Sequence, residues 1–298
     1  MDDHSEQIRQ ILNFSGFPFQ HHCAEVIGSQ DGFEIAVEVP FTDPQSNGAI
    51  LGVHGSIDIL AVAPDSKADR LVCFTIECKR AKEETKNWIL LPNHKQSPKW
   101  PTFFTTTRAE SSEKRGPLYA NRHVTFPELG YARSVDYEYI VNGIEVNAAR
   151  TQQNRNADEK IYKPLRQVAH AAHAFETTFP KIFEGVDYLR QTEDKISLIS
   201  VPVVITTASI YTPDFPRDKV TNGDIETGDF KLGEAKKWVT YEFPLPDHMS
   251  YSVSRGFDAT HIGKRTVFIV NDKYMAEFFT KALGVQVSGH PPVPSIDG

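Results

Sequence analysis

What this chain has little of narrows it first. Only three cysteines, Cys23, Cys73 and Cys78, occur in 298 residues. The number is odd, no framework spacing relates them, and no two stand at the spacing of zinc ligands. That argues against a disulfide-stapled secreted fold and leads to an expectation of reduced thiols in a cytoplasmic setting. No basic stretch leads into an apolar one within MDDHSEQIRQ, so no secretory signal is expected. Long hydrophobic runs are scarce as well. The longest, ISLISVPVVITTASIY, contains Pro202 and several hydroxyls and is short for a membrane span. A phosphate-cradling Gly-x-x-x-x-Gly-Lys-[Ser/Thr] loop is missing, and Ser56 lacks the elbow pattern of a hydrolase nucleophile. Internal repeats and low-complexity tracts are missing too.

What is present is a globular composition, with 40% hydrophobic and 24% charged residues. The net charge of -7 is unevenly spread. Residues 78–170 hold 16 Lys/Arg against 10 Asp/Glu, so the excess there is +6 and the rest of the chain carries -13. Such a segment can present a basic face to phosphate or serve as a solvated loop of mixed charge. Lys79, Arg80, Lys82, Lys86, Lys95, Arg108, Lys114, Arg115 and Arg122 alternate with Trp100, Phe103 and Phe104. Cations interleaved with aromatics suit backbone clamping and base stacking, or a small hydrophobic anchor in a loop.

Periodicity predicts helices over 5–14 and 19–29, divided by Ser15-Gly16-Phe17-Pro18, then a strand at FEIAVEVPF (33–41). GSIDILAVA (55–63) and RLVCFTIECK (70–79) follow across a turn-rich connection and read as an antiparallel hairpin. Residues 92–158 read as an insertion or mobile lobe, with Val135 to Val141 as its strand candidate. A helix is predicted over 159–177, with Ile161, Leu165, Val168, Ala172 and Phe175 as one apolar stripe and Pro164 in its first turn. A second short helix follows at about 181–190. The β-branched run after it suggests a central strand buried on both faces. Strands at Lys237–Phe243 and Arg265–Val270 and a helix at Lys273–Leu283 close the core, and 286–298 is expected to be a frayed tail. The domain reading is thus 1–91 and 159–285 as one core around the 92–158 insertion. The fold class expected is a three-layer α/β/α sandwich with a central mixed β-sheet.

Chemistry concentrates in GSIDILAVAPDSKADRLVCFTIECKR, residues 55–80, where Asp58 interrupts one apolar strand and Glu77-Cys78-Lys79 ends the next. Burying a charge is costly unless it is paired or bound to a metal. Alternation places Thr75, Glu77 and Lys79 on one face of the strand and Phe74, Ile76 and Cys78 on the other. If the two strands pair, Asp58 can lie beside Glu77. Two carboxylates and the Cys78 carbonyl form the hard-oxygen set that Mg²⁺ prefers. A lysine on the same face can orient or deprotonate an attacking water. [Asp/Glu]-x-Lys alone means little, since it recurs at Asp65, Glu84, Asp158, Glu193, Asp229 and Glu234. Only Glu77-Cys78-Lys79 ends an unbroken apolar strand, LVCFTI, behind a second strand with its own aspartate. A buried lysine–carboxylate network is the structural alternative.

Gly55-x-x-Asp58, 18 intervening residues and Glu77-x-Lys79 resemble the signature of the PD-(D/E)XK, or restriction-endonuclease-like, nuclease superfamily, with Ile57 where the family's proline often stands. The resemblance covers 19–80 well and 159–211 more loosely. It implies that Asp58 and Glu77 ligate Mg²⁺, with Mn²⁺ able to substitute, and that Lys79 assists the water. It also brings Glu25 from the leading helix to the metal and Gln167 from the following helix to the site. His170 and His173 lie off the apolar stripe and face solvent or DNA in this reading. The function implied is a metal-dependent nuclease acting on DNA, in defence or repair. RNA as substrate and a non-catalytic nucleic-acid-binding or regulatory module on the same fold are the alternatives. A homodimer would suit cleavage of both strands of a duplex, and an activator or partner protein is allowed for.

Overall fold

The computed structural model describes residues 3–43, 53–65, 70–81, 86–92, 102–109, 118–125, 139–146, 157–185, 195–216, 220, 225, 230–245 and 264–282. Helix α1 (Asp3–Ser15) turns into α2 (Phe17–Gly28) at Gly16, whose φ of 85° is in the left-handed region open to glycine. β1 (Glu34–Asp43), β2 (Val53–Asp65) and β3 (Arg70–Lys79) then form an antiparallel meander. β4 (Asn87–Pro92), β5 (Thr102–Ala109), β6 (Leu118–Thr125) and β7 (Tyr139–Val146) precede the long helix α3 (Ala157–Gly185). β8 (Lys195–Thr206), β9 (Ser209–Tyr211), β10 (Trp238–Pro244) and β11 (Lys264–Asn271) complete the sheet, followed by short helical turns over 272–282. No described helix is long and apolar enough to cross a membrane.

The fold is mixed α/β around a central mixed sheet. Its strand order is β1-β2-β3-β8-β11-β10-β7-β4-β9. β8 runs parallel to β3 along all of that strand, from Arg70↔Ser197 to Lys79↔Thr206. Its other edge is shared, with β5 antiparallel at 195–200 and β11 parallel at 203–206. The β-branched run therefore is a central strand. Val201, Val203 and Ile205 join the core under α2, while Val204 points into the core under α3. Under α2 they meet Cys23, Ile27, Phe74, Ile76, Phe278 and Phe279. Under α3 the apolar stripe Ile161, Leu165 and Val168 packs on Trp88, Val239, Phe243 and Ile269. Each large apolar side chain enclosed in this way contributes roughly 1.5–3 kcal/mol. A buried ion pair, Arg265 Nη2 to Glu176 Oε2 at 2.6 Å, ties β11 to α3.

The β1–β2 hairpin changes faces halfway along. Phe33 and Ile35 pack with Ile59, Ala61 and Ala63 on the α2 side. Val39, Phe41 and Ile57 pack with Ala171 and Ala174 on the α3 side. Strict alternation would keep residues 35, 39 and 41 together and 57 with 59. The ladder itself holds its register, with Val37↔Ile59 and Val39↔Ile57 on either side of the change. Glu38 sits at that point with φ 52°, the one positive-φ non-glycine among the described residues.

Several expectations need correction. The segment read as an insertion gives β5 and β7 to the same sheet, and β4 precedes it unannounced. β5 carries the Thr and Arg that read as loop, and its ladders with β6 and β8 bring it into the sheet. β6, also within that segment, pairs with β5. Residues 93–101, 110–117, 126–138 and 147–156, and the tail from 283, lie outside the described residues. The helices predicted over 159–177 and 181–190 are one helix, α3, which runs through Pro180. α3 also begins before 159, so Pro164 lies beyond the first turn, where a proline forgoes one helical hydrogen bond. Packing of Ile161, Pro164, Leu165 and Val168, all buried, offsets that loss.

Candidate active site

Three carboxylates come level on three adjacent strands. Asp58 in β2 stands one rung beyond the last β2–β3 pair, Ile59↔Ile76, so the next residue of β3, Glu77, is its neighbour. Glu38 in β1 falls between Val37↔Ile59 and Val39↔Ile57, level with Asp58 on the other side. The backbone N–H of Cys78 donates to Asp58 Oδ2 at 2.6 Å, which fixes the aspartate against the end of β3. Gln20 of α2, 5% exposed, donates through Nε2 to Glu38 Oε1 at 2.7 Å and to the Asp58 carbonyl at 2.9 Å. One buried amide thus holds both acidic strands.

Glu77 is 6% exposed, and its Oε2 is buried with no hydrogen-bond partner. An anionic oxygen in that position costs free energy unless a cation or a proton meets it. Burial above all, with Asp58 and Glu38 adding to it and Lys79 and Lys163 opposing, pushes the Glu77 carboxyl up to about 8. Burial likewise lifts Asp58 to about 6, against the pull of the Cys78 N–H. Glu38 adds to that rise, and Lys79 counters it. Lys79 therefore acts on both carboxylates. Thr75 Oγ1 donates to the Val168 carbonyl of α3, so alternation along β3 sends Glu77 and Lys79 toward that helix. Cys78 faces the opposite way. Its thiol hydrogen-bonds with Cys23 inside the α2-side core, and that bond together with burial holds it well above the ordinary thiol range.

The predicted site residues are placed as follows. Asp58, Glu77 and Lys79 come together, with the Cys78 main chain between them. Gln167 of α3 reaches the same hairpin, donating to the Ser56 carbonyl at 2.5 Å, two residues before Asp58. Glu25 does not join them. The buried stripe of α2 is Gln20, Cys23 and Ile27, and Glu25 lies off it, exposed. Glu38 supplies the carboxylate expected from Glu25. Lys163, one turn before Gln167, adds a cation that acts on Glu77. The sequence offered one sign of Glu38, an acid inside the apolar strand before Asp58. Without the hairpin register it could not be told from Glu34.

A cleft of about 560 Å³ adjoins the group, between the last turn of α1, Gly16 and the segment from Cys78 to Ala81. Among the described residues no three His, Cys, Asp or Glu side chains converge as a metal cage. The donor set that can hold a hard cation is Asp58, the orphaned Glu77 oxygen and main-chain carbonyl oxygen, with water for the remaining positions. Comparison with protein-family models, curated proteins and solved structures finds no match to this chain.

Proposed function

We propose that the protein is a metal-dependent nuclease that hydrolyses phosphodiester bonds in DNA, on a restriction-endonuclease-like three-layer α/β/α core. The observation that carries this reading is the buried, partnerless Glu77 oxygen beside Asp58, with Lys79 two residues on. A salt-bridge network would have closed on that oxygen. Here Lys79 acts on both carboxyl groups without offsetting their burial, and both titrate well above the ordinary carboxylate range.

The residues fit Mg²⁺, or Mn²⁺ in its place, held by Asp58, Glu77 and the Cys78 carbonyl. Such an ion, when bound, offsets the charge that builds on the scissile phosphate. The chain's own groups do the rest. Lys79 orients the attacking water and takes part in moving its proton. Glu38, fixed by Gln20, steadies Asp58 and adds negative charge that draws a cation in. Gln167 anchors the β2 backbone at Ser56, which keeps Asp58 in line with Glu77. The basic excess over 78–170 provides attraction for the phosphate backbone.

The test is cleavage of supercoiled plasmid, linear duplex, single-stranded DNA and RNA with Mg²⁺ or Mn²⁺. Wild type is run beside Asp58→Ala and Lys79→Ala, each checked for folding by circular dichroism. Metal-dependent cleavage lost in both variants, by about 10²-fold or more, supports the reading. Folded protein with neither cleavage nor a metal-dependent thermal shift returns the group to a structural network. Preferential cleavage of RNA would keep the chemistry and replace the substrate.

A further inference from the structure

The cleft beside Lys79 has a chemistry of its own, and the site described above does not use it. Gln10, Asn13 and Phe14 stand at i, i+3 and i+4 on α1 and so share one face of its last turns. Across the cleft are Cys78, Lys79 and Arg80, at the carboxyl end of β3. Among the described residues no acidic side chain lines it, and two cations do. Phe14 is 86% exposed. Arg80 Nη1 donates to the Asn13 carbonyl at 2.5 Å, tying the end of α1 to the end of β3. Ser15 Oγ, which donates to the Leu12 carbonyl at 2.6 Å, and the left-handed Gly16 fix the turn behind it.

We infer that this cleft receives one unstacked nucleotide of a single-stranded segment, next to the phosphate that is cut. The inference rests on the nuclease reading above and names the form of its substrate. Lys79 lines the cleft and also acts on Glu77, so the cleft lies next to the acidic group. Lys79 and Arg80 meet the phosphate charge. The exposed Phe14 ring offers a stacking surface, and the Asn13 side-chain amide can both give and accept hydrogen bonds at a base edge. The volume falls within the range of about 300–1,000 Å³ typical of clefts that hold single small ligands. A base inside a duplex has both faces covered, so Phe14 can reach only one that has left the stack. The substrate is therefore single-stranded DNA, or a flap or frayed end.

The experiment uses the full chain and fluorescently labelled DNA, one set single-stranded and the other a duplex closed by hairpins at both ends. Affinity is read by anisotropy in EDTA and cleavage in Mg²⁺, for wild type, Phe14→Ala and Phe14→Leu. Wild type is expected to bind the single strand at least tenfold more tightly than the closed duplex. Phe14→Ala should lose about tenfold of single-strand affinity, Phe14→Leu less, and duplex affinity should stay within twofold. Phe14 is too exposed for its loss to unfold the chain. Equal affinity for the two forms, or no effect of Phe14→Ala, overturns the cleft assignment even where Mg²⁺-dependent cleavage is intact. Single-strand binding that depends on Phe14 without cleavage of any DNA keeps the cleft and overturns the hydrolytic reading instead.

Discussion

Glu77→Gln is expected to make the metal-free protein more stable at alkaline pH while removing its response to Mg²⁺. Glu77 titrates at about 8 in the folded chain against an ordinary 4.5. A raised folded-state value means that folding takes up a proton between those two limits. The stability this group allows is complete below about 4.5, falls as pH rises, and reaches its floor above about 8. At about 1.36 kcal/mol for each tenfold change in acidity, ionising Glu77 in place costs on the order of 5 kcal/mol. A buried glutamine amide has its own unmet hydrogen bonds, worth roughly 1–3 kcal/mol, so the net gain at pH 8.5 is roughly 2–4 kcal/mol. At pH 5 the folded-state carboxyl is protonated and most of the gain is gone, so Glu77→Gln should be no more stable than wild type. Thermal or urea unfolding in EDTA at pH 5, 7 and 8.5 reads this directly. Added Mg²⁺ should stabilise wild type, more at pH 8.5 than at pH 6 because the ion competes with protons, and should leave Glu77→Gln unmoved. A wild-type stability that is flat from pH 5 to 8.5, or a Gln variant weaker than wild type at pH 8.5, would refute the reasoning.

Three further outcomes follow from other parts of the fold. At Glu38, φ 52° favours glycine, so Glu38→Gly should be more stable than Glu38→Ala by about 1 kcal/mol although both lose the same carboxylate; urea midpoints decide it. Glu176→Gln removes the charge that meets Arg265 Nη2 in a buried pair and should cost about 3–5 kcal/mol, whereas Glu176→Leu with Arg265→Met should recover much of that in a double-mutant cycle. Gly55→Ala would set a Cβ 2.7 Å from the Phe41 ring, and a loss of about 1–3 kcal/mol in unfolding free energy is expected, relieved by Phe41→Leu in the same chain.

Those parts of the fold that the sequence made legible share a physical cause. β2, β3 and β8 bury apolar side chains in an unbroken run, and α3 buries a stripe at helical spacing, so composition and period name them. Asp58 and Glu77 stood out for the complementary reason, as charges where burial penalises them. β5 was hidden because its Thr-rich sequence shows no sustained apolar period, and the strand candidate at 135–141 met only the start of β7. Pro180 reads as a helix end, yet α3 continues through it, since tertiary packing of a long amphipathic helix can outweigh one lost hydrogen bond. Glu25 and Glu38 were confused because the choice depends on helix phase and hairpin register. Both are properties of the assembled chain.

The change of faces in the β1–β2 hairpin also bears on how the chain finds its fold. A uniform hairpin can slide by two residues and still bury an apolar face, so sliding errors are weakly punished. Here each strand has a marked point where inside becomes outside. Slide one strand against the other and the two marks part, leaving apolar residues such as Val39 or Ile57 on the wrong side of the ladder. Only one alignment buries both halves, and it sets Glu38 level with Asp58. Correct threading of the hairpin and correct placing of its acids are thus one event, and a chain that has buried this hairpin has already aligned two of its three carboxylates.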